Sequence, residues 1–408
     1  MTFTRTLTSR ALKALASPRA ALAVGRPWYA LTGRQADKNI TLRNSKAILV
    51  VRLDAIGDAI LNTPFLRELR RSAPQAWITL VARPQVFNLL EKCPHVNEVI
   101  AFDLRGAGLG RHARAFRLAA IRLWRRRFDM AIIPRWGADH YRATYLAYFS
   151  GAPRRVGYSE SVRDTKQRIN AGFDRMLTDV LTDRSPKHQV EYNLDVLRFL
   201  GGEVADARLE VWLDEEDRSF ADKLFSTRGI GQNDLVVAIV PGARLPRKQW
   251  PVERFIEVGR LLLREYGPKL VIVGGPGERQ LGERFEAELG ESVISVAGDT
   301  TLRQAAAVLE RCRLTVSNDT GAMHLAAAAG NSVVEISWHA TEGEPGQPES
   351  PGCFRPWGVP HVVVQPEHAR PPCRDGCKLK EPHCILGVSV ERVFDAVRFL
   401  LPGEAPVG

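Results

Sequence analysis

A chain of 408 residues with 45% hydrophobic and 25% charged content is too long and too apolar for a disulfide-stapled module or a disordered polymer, and it has room for two domains. Lys and Arg number 57 against 46 Asp and Glu, and the net charge of +11 favours an anionic partner such as nucleic acid, nucleotide phosphate or an acidic membrane surface. No run of eighteen consecutive apolar residues occurs, which excludes a conventional membrane-spanning helix, and six cysteines are too few for a disulfide scaffold and point to a reducing, cytosolic compartment.

The basic excess is concentrated at the start, where Arg5, Arg10, Lys13, Arg19, Arg26, Arg34, Lys38 and Arg43 face a single acid, Asp37. Within this stretch Leu7, Ala11, Leu15 and Leu22 align on a weakly amphipathic helix that lies on an anionic lipid surface, or else the stretch is a basic extension packed on the protein body or partly disordered. From Lys46 onward, β-rich runs alternate with helical periods. Strands are predicted at 46–53, 77–82, 96–102 and 128–134, with helices after residue 57, at 86–93, from Arg111 to Arg127 and from Asp139 to Phe149. After a punctuated joining segment at 201–234, strands are predicted at 235–242, 269–275, 292–298, 313–319 and 331–337, again separated by helices. Alternation of this kind specifies parallel β-α-β units, so the fold class is α/β with two halves.

Three strand exits carry candidate chemistry. In VRLDAIGDAILNTP, Gly57 permits a close approach, and Asp58 reads either as a helix N-cap or as a general base, with Asp54 a weaker competitor. In IVPGARLPRKQWPVERF, Arg244, Arg247 and Lys248 precede a helix; they are a solvated basic loop or a phosphate-neutralising one. In TVSNDTGAMHLAAAAG, Asp319, Thr320 and Gly321 enter a small-residue helix with His324 one turn on, an arrangement suited to a pyrophosphate. VIVGGPGERQ adds Gly274, Gly275, Gly277 and Glu278 at a further strand exit, a nucleotide contact or merely a tight connection. The usual dinucleotide fingerprint, the P-loop and an Asp-x-Asp pair are all missing, which argues against a dehydrogenase, a P-loop ATPase and the simplest metal-dependent phosphate site.

Near the end, Phe354, Arg355, Trp357 and His361 either contact a sugar or base or lock a surface loop. Cys353, Cys373, Cys377 and Cys384, or three of these with His383, are possible ligands of a structural metal; their spacing is no ribbon signature, and packed or surface thiols are the favoured reading.

Taken in order, IGDAILNTPFLREL, PGARLPRKQWPVERF, VIVGGPGERQ and NDTGAMHLAAAAG resemble glycosyltransferase family 9, whose best-known members are the heptosyltransferases of lipopolysaccharide core synthesis. The resemblance implies the GT-B fold, two Rossmann-like domains facing a central cleft: a basic extension at 1–45, an acceptor-side domain at 46–205, a linker at 206–234, a donor-binding domain at 235–388 and a C-terminal helix and tail at 389–408. It implies Asp58 as the catalytic base, Lys248 as the cation opposite the donor phosphates, and Asp319, Thr320, Gly321 and His324 as the donor-binding loop and helix start, with Arg244 and Glu278 as further donor contacts. It further implies inverting transfer from a nucleotide sugar, most often ADP-heptose, to a lipid-linked or glycan acceptor, with no metal cofactor. The expected location is the cytoplasm, peripheral on the anionic inner membrane. Alternatives are another nucleotide sugar used for O-chain, capsule or protein glycosylation, and a non-catalytic membrane-associated scaffold; no specific nucleic-acid partner is expected.

Overall fold

The computed structural model describes residues 17–103, 114–344, 346, 347, 349–374, 377 and 379–401. They form two compact units: one built from the residues up to Ala55 with Pro64–Ser185 and Gln189–Ala207, the other from Ile56–Thr63, Pro186–His188 and the chain from Arg208.

The first unit holds six parallel strands, β1 Ala47–Arg52, β2 Trp77–Ala82, β3 Glu98–Ala101, β4 Met130–Ile133, β5 Arg154–Tyr158 and β6 Asp179–Leu181. They lie in the order β3-β2-β1-β4-β5-β6. Ile48, Leu49, Val50 and Val51 of β1 are all buried, as expected of a central parallel strand covered on both faces. The second unit repeats the plan with β7 Val236–Val240, β8 Lys269–Ile272, β9 Val293–Ser295, β10 Leu314–Asn318, β11 Ser332–Ile336 and β12 His361–Val364, in the order β12-β11-β10-β7-β8-β9. Both are the Rossmann order. In each sheet the crossovers reverse direction beside the first strand, between β1 and β4 and between β7 and β10, and such a switch point opens a crevice at the strands' carboxyl ends.

Helices that matter below are α1 Pro18–Thr32, α2 Ile56–Ile60, α3 Thr63–Ser72, α4 Ala143–Phe149, α5 Val252–Tyr266, α6 Leu302–Glu310, α7 Gly321–Ala328 and α8 Val390–Leu400. Ile60, Leu61, Phe65, Leu66 and Leu69 are all buried, the stripe expected from the sequence, although the chain breaks its helix at Leu61 and Asn62. Helix α4 starts later than expected: Arg142 just before it is left-handed, and Asp139 lies outside the helix, where its carboxylate accepts from the Ala143 and Thr144 amides at 2.8 and 3.0 Å.

Three strands, β5, β6 and β12, were not expected. Strand β5 opens on two arginines, which disguised it; Arg155 is buried because its guanidinium donates to the Met176 and Ala152 carbonyls at 2.6 and 2.5 Å. Strand β12 sits inside the aromatic segment that reads as either a sugar or base contact or a locked surface loop. The expected N-terminal amphipathic helix falls largely on residues outside those described. The helix that is described, α1, begins where Ser17 caps it through the Ala20 amide at 3.2 Å and Pro18 occupies its first turn. Ala21 and Tyr29 join the first unit's core, Tyr29 donating to the Tyr148 carbonyl, so α1 packs on the protein body. Of the expected basic helix at 111–127, residues 111–113 lie outside those described. The remainder is helical through Arg126, and Arg122 and Arg126 bind Glu98 at 3.0 and 2.7 Å.

Candidate functional site

The second unit's switch point gathers most of the expected site. Strand β10 ends at Asn318, whose amide donates to the Pro241 carbonyl at 2.7 Å and whose oxygen accepts from the Trp250 amide at 3.1 Å. One side chain thus ties the β10 exit to both ends of the loop that carries Lys248. Lys248 Nζ donates to Asp319 Oδ2 at 2.8 Å and stands 3.6 Å from Glu349. Burial pulls the Lys248 ammonium down, but the Asp319 and Glu349 charges outweigh it and hold its pKa above the ordinary lysine value. Thr320 precedes α7 in extended backbone, and among the described residues its side chain makes no capping hydrogen bond to the helix start. The amides and the Thr320 hydroxyl there are available to an anion. His324, one turn on, is only 3% exposed, and burial pushes its pKa down to about 4, so the ring is neutral at pH 7. Its Nδ1 has no hydrogen-bond partner among the described residues.

Glu278 and Arg244 stand differently. Glu278 folds back so that its Oε2 accepts from the Gly275 amide at 2.7 Å. The carboxylate fills the space a Cβ would need at Gly242 and at Gly274, so glycines at the β7 and β8 exits make room for it. Arg244 is exposed on the loop beyond β7.

Asp58 lies in the first turn of α2, third in the helix and half-buried; it does not open the helix as the N-cap reading required. Helix α2 packs against the start of α7 through two glycines. A Cβ at Gly57 would meet His324 Cδ2 at 2.7 Å, and one at Gly321 would meet Ile56 Cβ at 2.9 Å and the Gly57 amide at 3.1 Å. The helix bearing Asp58 is thereby set against the helix bearing Thr320, Gly321 and His324. Asp54, the competitor, is occupied elsewhere: its buried carboxylate pairs with Arg52 at 2.8 Å and with Arg135.

Against known families, residues 117–381 match the model for glycosyltransferase family 9 (heptosyltransferase). The chain belongs to glycosyltransferase family 9. This family 9 enzyme is 26% identical over 298 residues to lipopolysaccharide heptosyltransferase 2 of Escherichia coli, covering 71% of the chain and 82% of that protein. A family 9 glycosyltransferase from Veillonella parvula superposes with a TM-score of 0.71 at 27% identity, over 90% of this chain and 99% of that one. The ADP-heptose lipopolysaccharide heptosyltransferase II of Escherichia coli shares the fold, with a TM-score of 0.65 at 22% identity over 87% of this chain and 98% of that one. The family 9 chain therefore has the GT-B class of fold, and its standing as a glycosyltransferase sets the non-catalytic scaffold reading aside.

Sequence reasoning missed several residues around this family 9 site. Glu335, on β11, is buried, and burial together with the Asp319 charge raises its pKa well above the carboxylate range against the pull of Lys248. Trp338 lies 5.8 Å from Lys248 Nζ and 5.2 Å from the Arg247 guanidinium, and Arg247 reaches Glu349 at 3.4 Å. A glutamate inside the apolar run SVVEI was the available signal for the first. The aromatic segment is held by His188, which stacks on Trp357 at 4.4 Å and donates from Nε2 to the Arg355 carbonyl at 3.0 Å. The terminal thiols also sort themselves. None of the six cysteines forms a disulfide, and Cys373, Cys377 and Cys384 converge with His383, whereas Cys353 is buried apart in the short helix Pro351–Phe354.

Proposed function

We propose that the chain transfers a heptose from ADP-heptose to a lipopolysaccharide core acceptor, with inversion and without a divalent ion. The observation that carries this reading is the Lys248–Asp319 pair beside the uncapped start of α7, with α2 and its Asp58 packed against the same helix. An anionic diphosphate at that helix start meets free amides, the Thr320 hydroxyl and a fixed ammonium, which together supply the positive potential that a metal ion supplies in other transferases.

In the proposed reaction, Asp58 takes the proton of the acceptor hydroxyl as that oxygen attacks the anomeric carbon. The bond from that carbon to the diphosphate oxygen breaks, and its electron pair leaves with ADP. Lys248, Thr320 and the α7 amides stabilise the charge that develops on the departing phosphate. His324, neutral at pH 7, has one ring N–H to offer, and Glu278 and Arg244 stand at neighbouring strand exits as donor contacts. ADP-heptose as donor rests on the heptosyltransferases the chain resembles, among them the ADP-heptose enzyme of Escherichia coli. The site of action is the cytoplasmic face of the inner membrane, reached by charge attraction; among the described residues no helix is long and apolar enough to cross a bilayer.

Asp58→Asn preserves size and removes the base. It is expected to retain donor binding and to lose about 10²- to 10⁴-fold in turnover. Mass spectrometry of ADP-heptose consumption with a lipid A–core precursor reads this directly, and near-normal turnover at saturating acceptor would remove Asp58 from the mechanism.

A further inference from the structure

The segment between β12 and α8 takes no part in the chemistry proposed above, and apart from the short turn Cys384–Gly387 its described residues contain no regular element. Within it, one ligand atom from each of Cys373, Cys377, His383 and Cys384 lies within 4.8 Å of all the others. The three cysteines are 4, 5 and 2% exposed and belong to the second unit's apolar core with Trp250, Ile385, Val388 and Phe394. His383 Nδ1 stands 3.8 Å from Cys373 Sγ and 3.5 Å from Cys384 Sγ. A tetrahedral centre with metal–sulfur bonds of about 2.3 Å and a metal–nitrogen bond of about 2.0 Å has sulfur–nitrogen edges of about 3.5 Å, and these separations match such edges to within a few tenths of an ångström.

We propose that Cys373, Cys377, His383 and Cys384 bind one tetrahedral, thiophilic cation, zinc or ferrous iron, as a structural clip. Three soft sulfur donors and one imidazole select this class of ion over magnesium or calcium, which take oxygen ligands. The ligand set replaces Cys353 with His383. A long connection with little structure of its own gains order from a cross-link that closes it, and metal ligation then contributes directly to folding. The clip has a defined neighbour. The Cys384–Gly387 turn packs on the Pro246–Lys248 turn; beside it Arg254 donates to the Leu386 and Val388 carbonyls at 2.9 and 2.6 Å, and Trp250 Nε1 donates to Val388 at 3.0 Å. The metal would thus brace the loop that carries Lys248, and the site stands whether or not Lys248 contacts a donor.

Full-length protein purified anaerobically without added metal should contain close to one zinc or iron per chain by plasma mass spectrometry, and the element found decides between the two. Exchange for cobalt should produce thiolate charge-transfer and tetrahedral ligand-field bands. His383→Leu should lower metal content and His383→Cys should restore it, while chelation of the wild-type chain should lower its melting temperature. The proposal is overturned if reduced wild-type protein stays metal-free after anaerobic incubation with zinc, ferrous iron and cobalt. A disulfide among these cysteines in anaerobically purified protein, or wild-type metal content and unchanged cobalt bands in His383→Leu, overturns it equally.

Discussion

At Lys248 an ammonium is held 2.8 Å from Asp319 and 3.6 Å from Glu349, with Glu335 buried close enough to feel its charge. Lys248→Ala leaves these acids without that counter-charge and, in the proposed reaction, removes a donor to the diphosphate. Free ADP is therefore expected to bind more weakly by about 1.5–3 kcal/mol, the usual worth of a hydrogen bond to a charged group. Calorimetry checks this, and unchanged affinity would move the donor phosphates elsewhere. Two buried imidazoles set an acid limit. Burial is the main cause in both, pushing His324 down to about 4 and His188 to about 3. The unfolded chain protonates each ring below about 6.5, whereas the folded chain does not until those lower values. Unfolding therefore takes up protons in this window, and stability falls as pH drops from about 6.5 towards 4 and on towards 3. Urea melts across that range should show the slope, and His324→Gln should flatten its upper part; a flat wild-type profile would contradict the buried neutral rings. Asp58, Lys248, Asp319 and His324 were legible because short motifs at strand exits name them. Glu335 was not, since a charge inside an apolar strand acquires meaning only when the fold supplies its neighbours.

Between elements, the contact that matters is α2 on α7, and it depends on two positions without side chains. Gly321→Ala puts a methyl 2.9 Å from Ile56 Cβ and 3.1 Å from the Gly57 amide, where part of the obstacle is backbone and cannot rotate away. Overpacking of this kind costs about 1–3 kcal/mol. The variant is expected to lose that much stability in denaturant melts and to lose turnover as Asp58 is displaced. Gly277→Ala is the control, because among the described residues nothing beyond its own chain neighbours lies within 4 Å of an added Cβ, and its stability should stay within about 0.5 kcal/mol of wild type. Equal stability of the two variants would show that α2 and α7 can part to admit a methyl group between Gly321 and Ile56. Strand and helix alternation was readable from period alone for most of the chain. Strands β5, β6 and β12 escaped because arginines, brevity or flanking prolines masked the apolar pattern, and Arg155 is tolerated inside only because Met176 and Ala152 turn carbonyls towards it.

For the molecule as a whole, the basic start of the chain divides at Ser17, where helix α1 is capped. Tyr29 and Ala21 of α1 belong to the first unit's core, so residues from Ser17 onward cannot be removed without exposing apolar surface. Deleting residues 2–16 removes Arg5, Arg10 and Lys13 and spares α1. Near anionic lipid each basic residue contributes about 1 kcal/mol, screened by salt. The truncated protein should sediment less with anionic liposomes at low salt while transferring normally to a short soluble acceptor, and equal sedimentation would remove these cations from membrane attachment. What the sequence determined by itself was the α/β class, the doubled plan, the family and the residues at the strand exits, since hydrophobic period and turn chemistry are local properties of a chain. Only the tertiary structure decided which of those residues meet: that Lys248 pairs with Asp319 across 71 positions, that Asp54 is consumed by arginines, that Asp58 sits within a helix turn, and that His383 rather than Cys353 completes the thiol cluster. Partners far apart in sequence carry no mutual signal in one chain, and the crossovers of the parallel sheets are what bring them within bonding distance.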